Sequence, residues 1–423
     1  MLDIHVLREK RDEIIERLKV RNHDFTSEVD EVLTIDEKRR ATQKEMDDTL
    51  SEANALSRQI GDLFKQGKAE EGNALRAQSG ELKEKSHQLK EQFSELEKAM
   101  EEALKHIPNV PHPSVPAGKS EEDNDIIAES GNIPDLGDNK LPHWELAEKY
   151  NLIDFDLGAK ITGAGFPVYI GKGARLQRAL INFFLEEATQ AGYVEHQPPL
   201  MVNEASGFGT GQLPDKEGQM YHAADDDLYL IPTAEVPLTN IYRDVIVKRD
   251  QFPIKMCGYT PCFRREAGSY GKEVRGLNRL HQFDKVEIVQ IQHPEDSYAT
   301  LDVMVDHVKG LLDKLELPYR VARLCGGDIG FTSALTFDME VFSAAQERWL
   351  EVSSISNFEQ YQANRLKCRF KGEDGKTHLV HTLNGSALAL PRILASLLEN
   401  NQTADGIRIP KALVPFAGFD LID

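Results

Sequence analysis

No run of roughly 18 or more apolar residues occurs anywhere in the 423-residue chain, so no helical membrane span is expected. Met1 to Val20 is charged throughout and offers neither an apolar signal core nor an arginine-rich transit pattern; a cytoplasmic location is expected. Cysteine is scarce. Cys257, Cys262, Cys325 and Cys368 form no C-x-x-C pair, which fits reduced, mostly buried thiols rather than a disulfide framework. His378 and His381 are three apart in an apparently extended segment, where that spacing sends side chains to opposite faces and disfavours a shared metal. G-x-x-x-x-G-K-[ST] is absent and no G-x-G-x-x-G follows an expected strand, so a bound nucleotide would not be cradled by a glycine-rich loop. No Ser-His-Asp or Cys-His arrangement offers a side-chain nucleophile. Positive charge is in deficit: 50 Lys and Arg against 70 Asp and Glu give a net charge of −20 and a pI near 5.2. Taken alone this argues against nucleic acid, yet a charge total does not exclude a local basic surface.

What is present is a long heptad pattern. Leu75, Leu82, Leu89 and Leu96 lie seven apart. Before them, Phe25, Val29 and Val32 begin a second ladder that resumes at Met46, Leu50, Ala53, Ile60 and Phe64, with a polar seam at Asp36, Arg39 and Gln43. The spacing predicts helices over about 26–65 and 73–106, joined by a polar turn and paired as an antiparallel coiled coil. Ile4, Leu7, Ile14, Ile15 and Leu18 predict a short helix at its base. Residues 1–105 carry 19 basic and 25 acidic side chains, but the basic ones cluster at Lys38, Arg39, Arg40 and Lys44 and at Arg76, Lys83, Lys85 and Lys90. On this pattern alone a solvated, ion-paired flank explains the clusters well. Four prolines in residues 108–118 predict a stiff extended linker. The expected organisation is a helical domain over 1–107 with the arm at 26–106, the linker over 108–118, and a globular domain over 119–423.

In that last domain the pattern predicts helices near 176–191, 301–315 and 387–399. Strands are predicted near 228–231, 256–263, 281–292, 319–324, 336–341, 349–354 and 378–382, the last followed by a loop. Most strands succeed one another without crossover helices, which predicts an α+β domain: a mainly antiparallel sheet flanked by helices.

The densest chemistry lies between Cys262 and Glu287: a strand, a glycine-punctuated loop and a returning strand. Alternation would place Arg264 and Glu266 on one face, and Arg279, His281, Phe283, Lys285 and Glu287 on another common face. Such a surface could grip a phosphate, stack a base and accept from an amine. On spacing alone, a salt-bridged amphipathic hairpin accounts for it as well.

Phe263-Arg264-Arg265-Glu266, the loop, and His281 to Glu287 resemble motif 2 of the class II aminoacyl-tRNA synthetases, in the form found in seryl-tRNA synthetases. Further segments resemble the same family in the same order. Thr210 to Pro214 and Pro232 to Glu235 resemble its serine-site segments, Glu351 to Asn357 its metal- and ATP-binding strand, Asn384 to Ser386 with Arg392 its motif 3, and the helix from Gly173 through Pro199 its motif 1, which builds a dimer interface. With the arm in front, the resemblance covers essentially the whole chain. It implies a class II synthetase catalytic domain, a homodimer, and the ligation of L-serine to tRNA(Ser) with ATP and Mg²⁺, with tRNA(Sec) a second acceptor where that tRNA exists.

Carried over residue by residue, the resemblance implies that Arg264 holds the α-phosphate and the adenylate carboxyl. Glu266 would accept from the adenine amino group, while Phe283 and Arg392 would sandwich the ring. Arg279 would reach the outer phosphates, and Arg265, Leu280, Val352 and Ser353 would line the ATP site. Glu351 and Ser354 would ligate Mg²⁺. Thr233, Ala234, Glu235, Glu287, Asn384 and Ser386, with Arg264, would surround serine. The arm would contact the elbow and long variable arm of tRNA through groups such as Arg39, Arg40, Arg76, Lys83 and Lys90. Two other readings stay open here. One is a class II relative that adenylates a carboxylate and charges a non-tRNA acceptor, though such relatives lack the arm. The other is an inactive coiled-coil scaffold, which loss of Arg264, Glu266, Glu351 or Arg392 would signal.

Overall fold

The computed structural model describes residues 1–215, 218–266 and 275–423. Residues 267–274 of the glycine-punctuated loop thus lie outside the described residues. The chain divides into two compact units, one of residues 1–19 with 23–108, the other of residues 20–22 with 109–423.

In the first unit, α1 (Ile4–Glu9) and α2 (Arg11–Leu18) are two short helices rather than one, bury Leu7, Ile14, Ile15 and Leu18, and precede the long pair α3 (Thr26–Lys65) and α4 (Ala69–Leu104). Gly67, at φ +74°, reverses the chain between them, and α4 starts four residues earlier than its leucine ladder suggests. The pairing is antiparallel: Arg39 lies over the Phe93 ring, Lys85 meets Glu45 at 2.8 Å, and Ser57 faces Ser79 at 3.4 Å. The seam is thinner than the ladder implies. Leu50 and Phe64 are half exposed, while Thr42, Thr49 and Ser79 are buried in the stripe. Gly72 sits under the Phe64 ring, where a Cβ would come within 3.1 Å.

At the polar part of the seam Asp36 is fully buried and receives Arg8 at 3.3 Å, Arg39 at 2.9 Å and Arg40 at 2.9 Å. Burial alone would raise its pKa, but the hydrogen bonds from Arg39 and Arg40 outweigh that and hold the carboxyl below its usual range. Two arginines of the first basic cluster are therefore committed inside the unit.

The second unit is built on an eight-stranded sheet. Its strands are β1 (Asp125–Ser130), β2 (Val194–Glu195), β3 (Ile254–Phe263), β4 (Gln282–Gln292), β5 (Tyr319–Arg323), β6 (Leu335–Ser343), β7 (Arg348–Asn357) and β8 (His381–Ala389), in the order β1-β5-β6-β7-β8-β4-β3-β2. All neighbours are antiparallel except β2 with β3. The helices used below are α5 (His143–Lys149), α6 (Gly171–Gln190), α7 (Glu235–Asn240), α8 (Ser297–Lys314), α9 (Gln360–Leu366) and α10 (Leu390–Asn400). Apolar stripes of α6, α8 and α10 share one core with Val286, Ile288, Val352, Ile355 and Leu383 of the sheet. On β4 the alternate residues Val289 and Ile291 join a second core with α7 and α9. Glu287 precedes Val289 on that second face, and so is delivered to the space under α7. Among the described residues no helix is long and apolar enough to cross a membrane.

One expected element changes type. A loop was expected after Thr382 and a helix from Ala387, but β8 runs to Ala389 and α10 begins at Leu390 with Pro391 in its first turn, where a missing N–H is harmless. Asn-Gly-Ser is turn-like by local propensity. Pairing with β4 on one side and β7 on the other overrides it.

The buried Asp36 carboxylate yields a stability test. Its lowered folded pKa means its contribution is complete above the unfolded value of about 3.9 and disappears as pH falls through the folded pKa. Asp36→Asn should lower the stability of the helical unit by about 1–3 kcal/mol near neutral pH, and the gap should close below about pH 4. Thermal melts followed by far-UV circular dichroism at both pH values check this.

Candidate active site

The hairpin of β3 and β4 sets the floor. Phe283 lies opposite Cys262, Lys285 opposite Thr260 and Glu287 opposite Gly258, while Ser386 on β8 lies opposite Glu287 from the other side. The loop before α7 adds Thr233 and Glu235. Thr233 Oγ1 donates to Glu287 Oε2 at 3.2 Å, Lys285 Nζ stands 2.5 Å from the same oxygen, and Ser386 Oγ reaches it at 3.5 Å. The Glu235 N–H donates to Thr233 Oγ1 at 3.2 Å. On the far side, Gln362 Nε2 donates to Glu235 Oε1 at 2.7 Å and to the Thr210 carbonyl at 3.1 Å, and is itself oriented by Thr382 Oγ1. Thr233, Glu235, Lys285, Glu287 and Ser386 are all buried. Burial, then the charge of Glu287, pushes the Glu235 carboxyl up to about 7, against the opposing pull of Gln362, Lys285 and Arg264.

Arg264 joins this cluster to a second one. Its Nε donates to the Pro232 carbonyl at 3.3 Å, beside Thr233, and its guanidinium lies 5.2 Å from the centroid of the Phe283 ring. Strand alternation does not place it there. β3 ends at Phe263 and Glu266 has φ +46°, so loop geometry sets Arg264 and Glu266. Glu266 then meets Arg279 Nε at 2.5 Å across the loop. β4 likewise begins only at Gln282. His281 does not share the Phe283 surface as expected: its ring stacks on Phe166 at 5.4 Å and its Nδ1 lies 3.1 Å from Tyr221 OH.

Arg392, in the first turn of α10, is aimed by the main chain. Its Nε donates to the Asn278 carbonyl at 3.0 Å, and its Nη1 donates to the Glu351 carbonyl at 2.7 Å and lies 3.6 Å from the Glu351 carboxylate. Of the other expected residues, Arg265 is exposed and its N–H donates to the Gln219 carbonyl at 2.9 Å. Ala234, Leu280 and Val352 pack into the cores, so only their main chain is available to a ligand. Ser353 Oγ donates to the Ser386 carbonyl at 2.5 Å, tying β7 to β8, and Asn384 is buried opposite Val289 and Ser356.

Sequence reasoning missed Gln362 and Asp338. Asp338 on β6 lies opposite Ser354, with Glu340 opposite Glu351. Its Oδ1 is buried without a hydrogen-bond partner, and burial followed by the charge of Glu351 raises its pKa well above the ordinary value. Alternation held the signal: Phe337, Met339 and Val341 enter the core, leaving Asp338 and Glu340 on the opposite face. No local signal marks Gln362, which matters only because α9 packs near α7.

The raised Glu235 pKa has a stability consequence. Between about pH 4.5 and 7 the folded chain holds a proton the unfolded chain has lost, so stability falls as pH rises through that window. Glu235→Gln should therefore stabilise the ligand-free protein, by on the order of 1–3 kcal/mol at pH 8, and leave it nearly unchanged at pH 4. Denaturant midpoints at the two pH values are the readout.

Known proteins carry the same organisation. Residues 1–111 match the family described as the seryl-tRNA synthetase N-terminal domain, and residues 219–401 match the class II tRNA synthetase core domain (G, H, P, S and T). The serine–tRNA ligase of Salinibacter ruber is 53% identical over 421 residues, covering 99% of this chain and 98% of its own, and that of Akkermansia muciniphila is 49% identical over 424 residues, covering 100% and 99%. The crystal structure of seryl-tRNA synthetase from Pyrococcus horikoshii complexed with ATP superposes with a TM-score of 0.93 at 35% identity, covering 100% of this chain and 99% of that one. A coiled-coil helical unit, a class II antiparallel core and full-length likeness to these enzymes lead to one assignment: the chain belongs to the seryl-tRNA synthetase family.

Proposed function

We propose that the buried cluster of Thr233, Glu235, Glu287 and Ser386 is the serine site, that the adjoining surface of Arg264, Glu266, Arg279, Phe283 and Arg392 is the ATP site, and that Arg264 serves both. The chain is a serine–tRNA ligase. The observation that carries the residue assignment is the pair of buried acids, Glu287 taking the Thr233 hydroxyl that itself accepts the Glu235 main-chain N–H, with Arg264 at their edge. Two acids and two hydroxyls suit a small amino alcohol, whose ammonium supplies positive charge that Lys285 alone does not. A serine carboxylate oxygen attacks the α-phosphorus of ATP; the bond from that phosphorus to the bridging oxygen breaks and pyrophosphate leaves. The 3′-terminal ribose hydroxyl of tRNA(Ser) then attacks the adenylate carbonyl and AMP leaves. Neither step requires a side-chain nucleophile. Catalysis is positioning plus charge stabilisation at the α-phosphate by Arg264.

For adenine, Phe283 offers one face and Arg392 the other, with Glu266 at the edge. Arg279, paired with Glu266, would reach the outer phosphates. Arg265, Leu280, Val352 and Ser353 border the nucleotide, and Ala234 and Asn384 the amino acid. Mg²⁺ fits the donors beside this site, because Asp338 holds a buried unpartnered oxygen next to Ser354 and Glu351. Glu351 and Ser354, with Asp338 behind them, would hold the ion, which when bound neutralises phosphate charge. A homodimer is supported by exposed Val194, Leu200 and Met201 after α6, the segment that resembles the family's dimer motif. tRNA contact by the helical unit is supported by exposed Arg76, Lys83 and Lys90 more than by Arg39 and Arg40, which Asp36 holds. tRNA(Sec) is a second acceptor where the cell makes it, and the enzyme works in the cytoplasm.

Serine-dependent ATP–pyrophosphate exchange without tRNA, followed by transfer to tRNA(Ser), tests the reading. Exchange with serine and subsequent tRNA charging are expected. Exchange without charging would point to a non-tRNA acceptor, and no exchange to an inactive scaffold. Arg264→Ala should cost about 10²–10³-fold in kcat. Glu235→Gln should raise the KM for serine far more than that for ATP. Alanine should be rejected strongly, because it would leave the polar pocket unpaired.

A further inference from the structure

The returning end of the motif 2 loop, residues 275–279, is held by groups distant in sequence. His143 on α5 is fully buried. Its Nε2 accepts the Leu277 N–H at 2.8 Å, which places the ring proton on Nδ1, 2.7 Å from Glu399 Oε1 on α10. Glu399 also receives the His143 N–H at 2.9 Å, Gln346 Nε2 at 2.9 Å, and Ser343 Oγ. Gln346 Oε1 in turn accepts from Asn278 Nδ2 at 2.9 Å. Gly276, at φ +67°, lies so close to the imidazole that a Cβ would sit 2.1 Å from Nε2. Next to His143, Trp144 carries the Arg275 guanidinium 4.7 Å from its ring centroid. Three consecutive loop residues thus rest on α5.

That anchoring has a target. The Asn278 carbonyl is the acceptor for Arg392 Nε, and the following residue, Arg279, pairs with Glu266. A shift of the Leu277–Asn278 main chain would move the aim of Arg392 and the Arg279–Glu266 pair together. It would spare the amino-acid pocket, whose contacts run through β4, β8, α7 and α9. We infer that His143, backed by Glu399, is a positioning residue for ATP: it fixes the loop main chain against which Arg392 and Arg279 are set. The inference rests on the proposed ATP site and deepens it.

The test is steady-state ATP–pyrophosphate exchange with the full-length protein, with both KM values and the melting temperature measured for each variant. His143→Ala should raise the KM for ATP tenfold or more and leave the KM for serine within twofold. His143→Gln restores an acceptor to the Leu277 N–H and should recover part of the loss. Gly276→Ala, which presses on the ring from the loop side, should reproduce the ATP-specific defect and decides the matter if His143→Ala does not fold. Leu146→Ala, on the same helix but in the core, should lower the melting temperature without splitting the two KM values. If His143→Ala and Gly276→Ala leave both KM values unchanged or raise them alike, the inference is wrong. Absence of serine-dependent exchange in the parent protein would instead overturn the proposed function itself.

Discussion

Two carboxylates, Glu235 and Glu287, are buried side by side; burial first, and then the charge of Glu287, raises the Glu235 pKa, and the polar contacts of the site answer that electrostatic cost. Lys285 offsets Glu287 directly, Gln362 holds the Glu235 carboxylate by a neutral hydrogen bond, and Thr233 Oγ1 donates to Glu287 while accepting the Glu235 main-chain N–H. Neutralisation inside the protein is left incomplete. In the proposed serine site an arriving ammonium group would find a place where its charge lowers the electrostatic cost already present. Hydroxyl donors at Thr233 and Ser386 add a preference for a substrate that can exchange hydrogen bonds, which a purely apolar pocket could not express.

The proposed nucleotide side uses the same principle with the signs spread over a surface. Asp338 stands buried beside Glu351 on the neighbouring strand, with one carboxylate oxygen unpartnered, so the sheet holds acidic oxygens that a hard divalent cation suits even though Glu351 also meets Arg392. Opposite them, Arg392 is directed by two main-chain carbonyls and Arg279 by Glu266. Main-chain acceptors fix the guanidinium plane of Arg392, and the Glu351 carboxylate 3.6 Å away adds an ion pair. Arg264 couples the halves, touching Pro232 beside the amino-acid cluster and Phe283 under the nucleotide surface.

The helical unit meets a different physical demand. Its seam is partly threonine, serine and glycine, so apolar burial per turn is modest, and charge pairing at Asp36 adds specificity where hydrophobic drive is weak. The same pairing engages Arg39 and Arg40 with Asp36, although Arg40 stays half exposed, while Arg76, Lys83 and Lys90 are exposed cations of an acidic chain. Local charge, rather than net charge, is what a phosphate backbone would meet.

Periodicity predicted the paired long helices, because a buried face imposes a period that local sequence must obey, and the succession of strands without crossover helices predicted the mainly antiparallel sheet. Residue type made Arg264, Glu266 and Glu287 candidates that a salt-bridged hairpin explained as well, and only the family resemblance singled out Arg392. Alternation failed where strands stop. Arg264, Glu266, Arg279 and His281 lie beyond the ends of β3 and β4, so strand geometry does not set them; Arg264 is held by the Pro232 carbonyl and Arg279 by Glu266. Propensity failed at Asn384 to Ser386, where two neighbouring strands enforce extension. Gln362, Asp338 and Glu399 gained their roles only on folding, because each acts through a partner between 16 and 256 residues away in the chain. Burial and pairing across such distances depend on which surfaces meet, and a linear pattern of side chains carries no term for that.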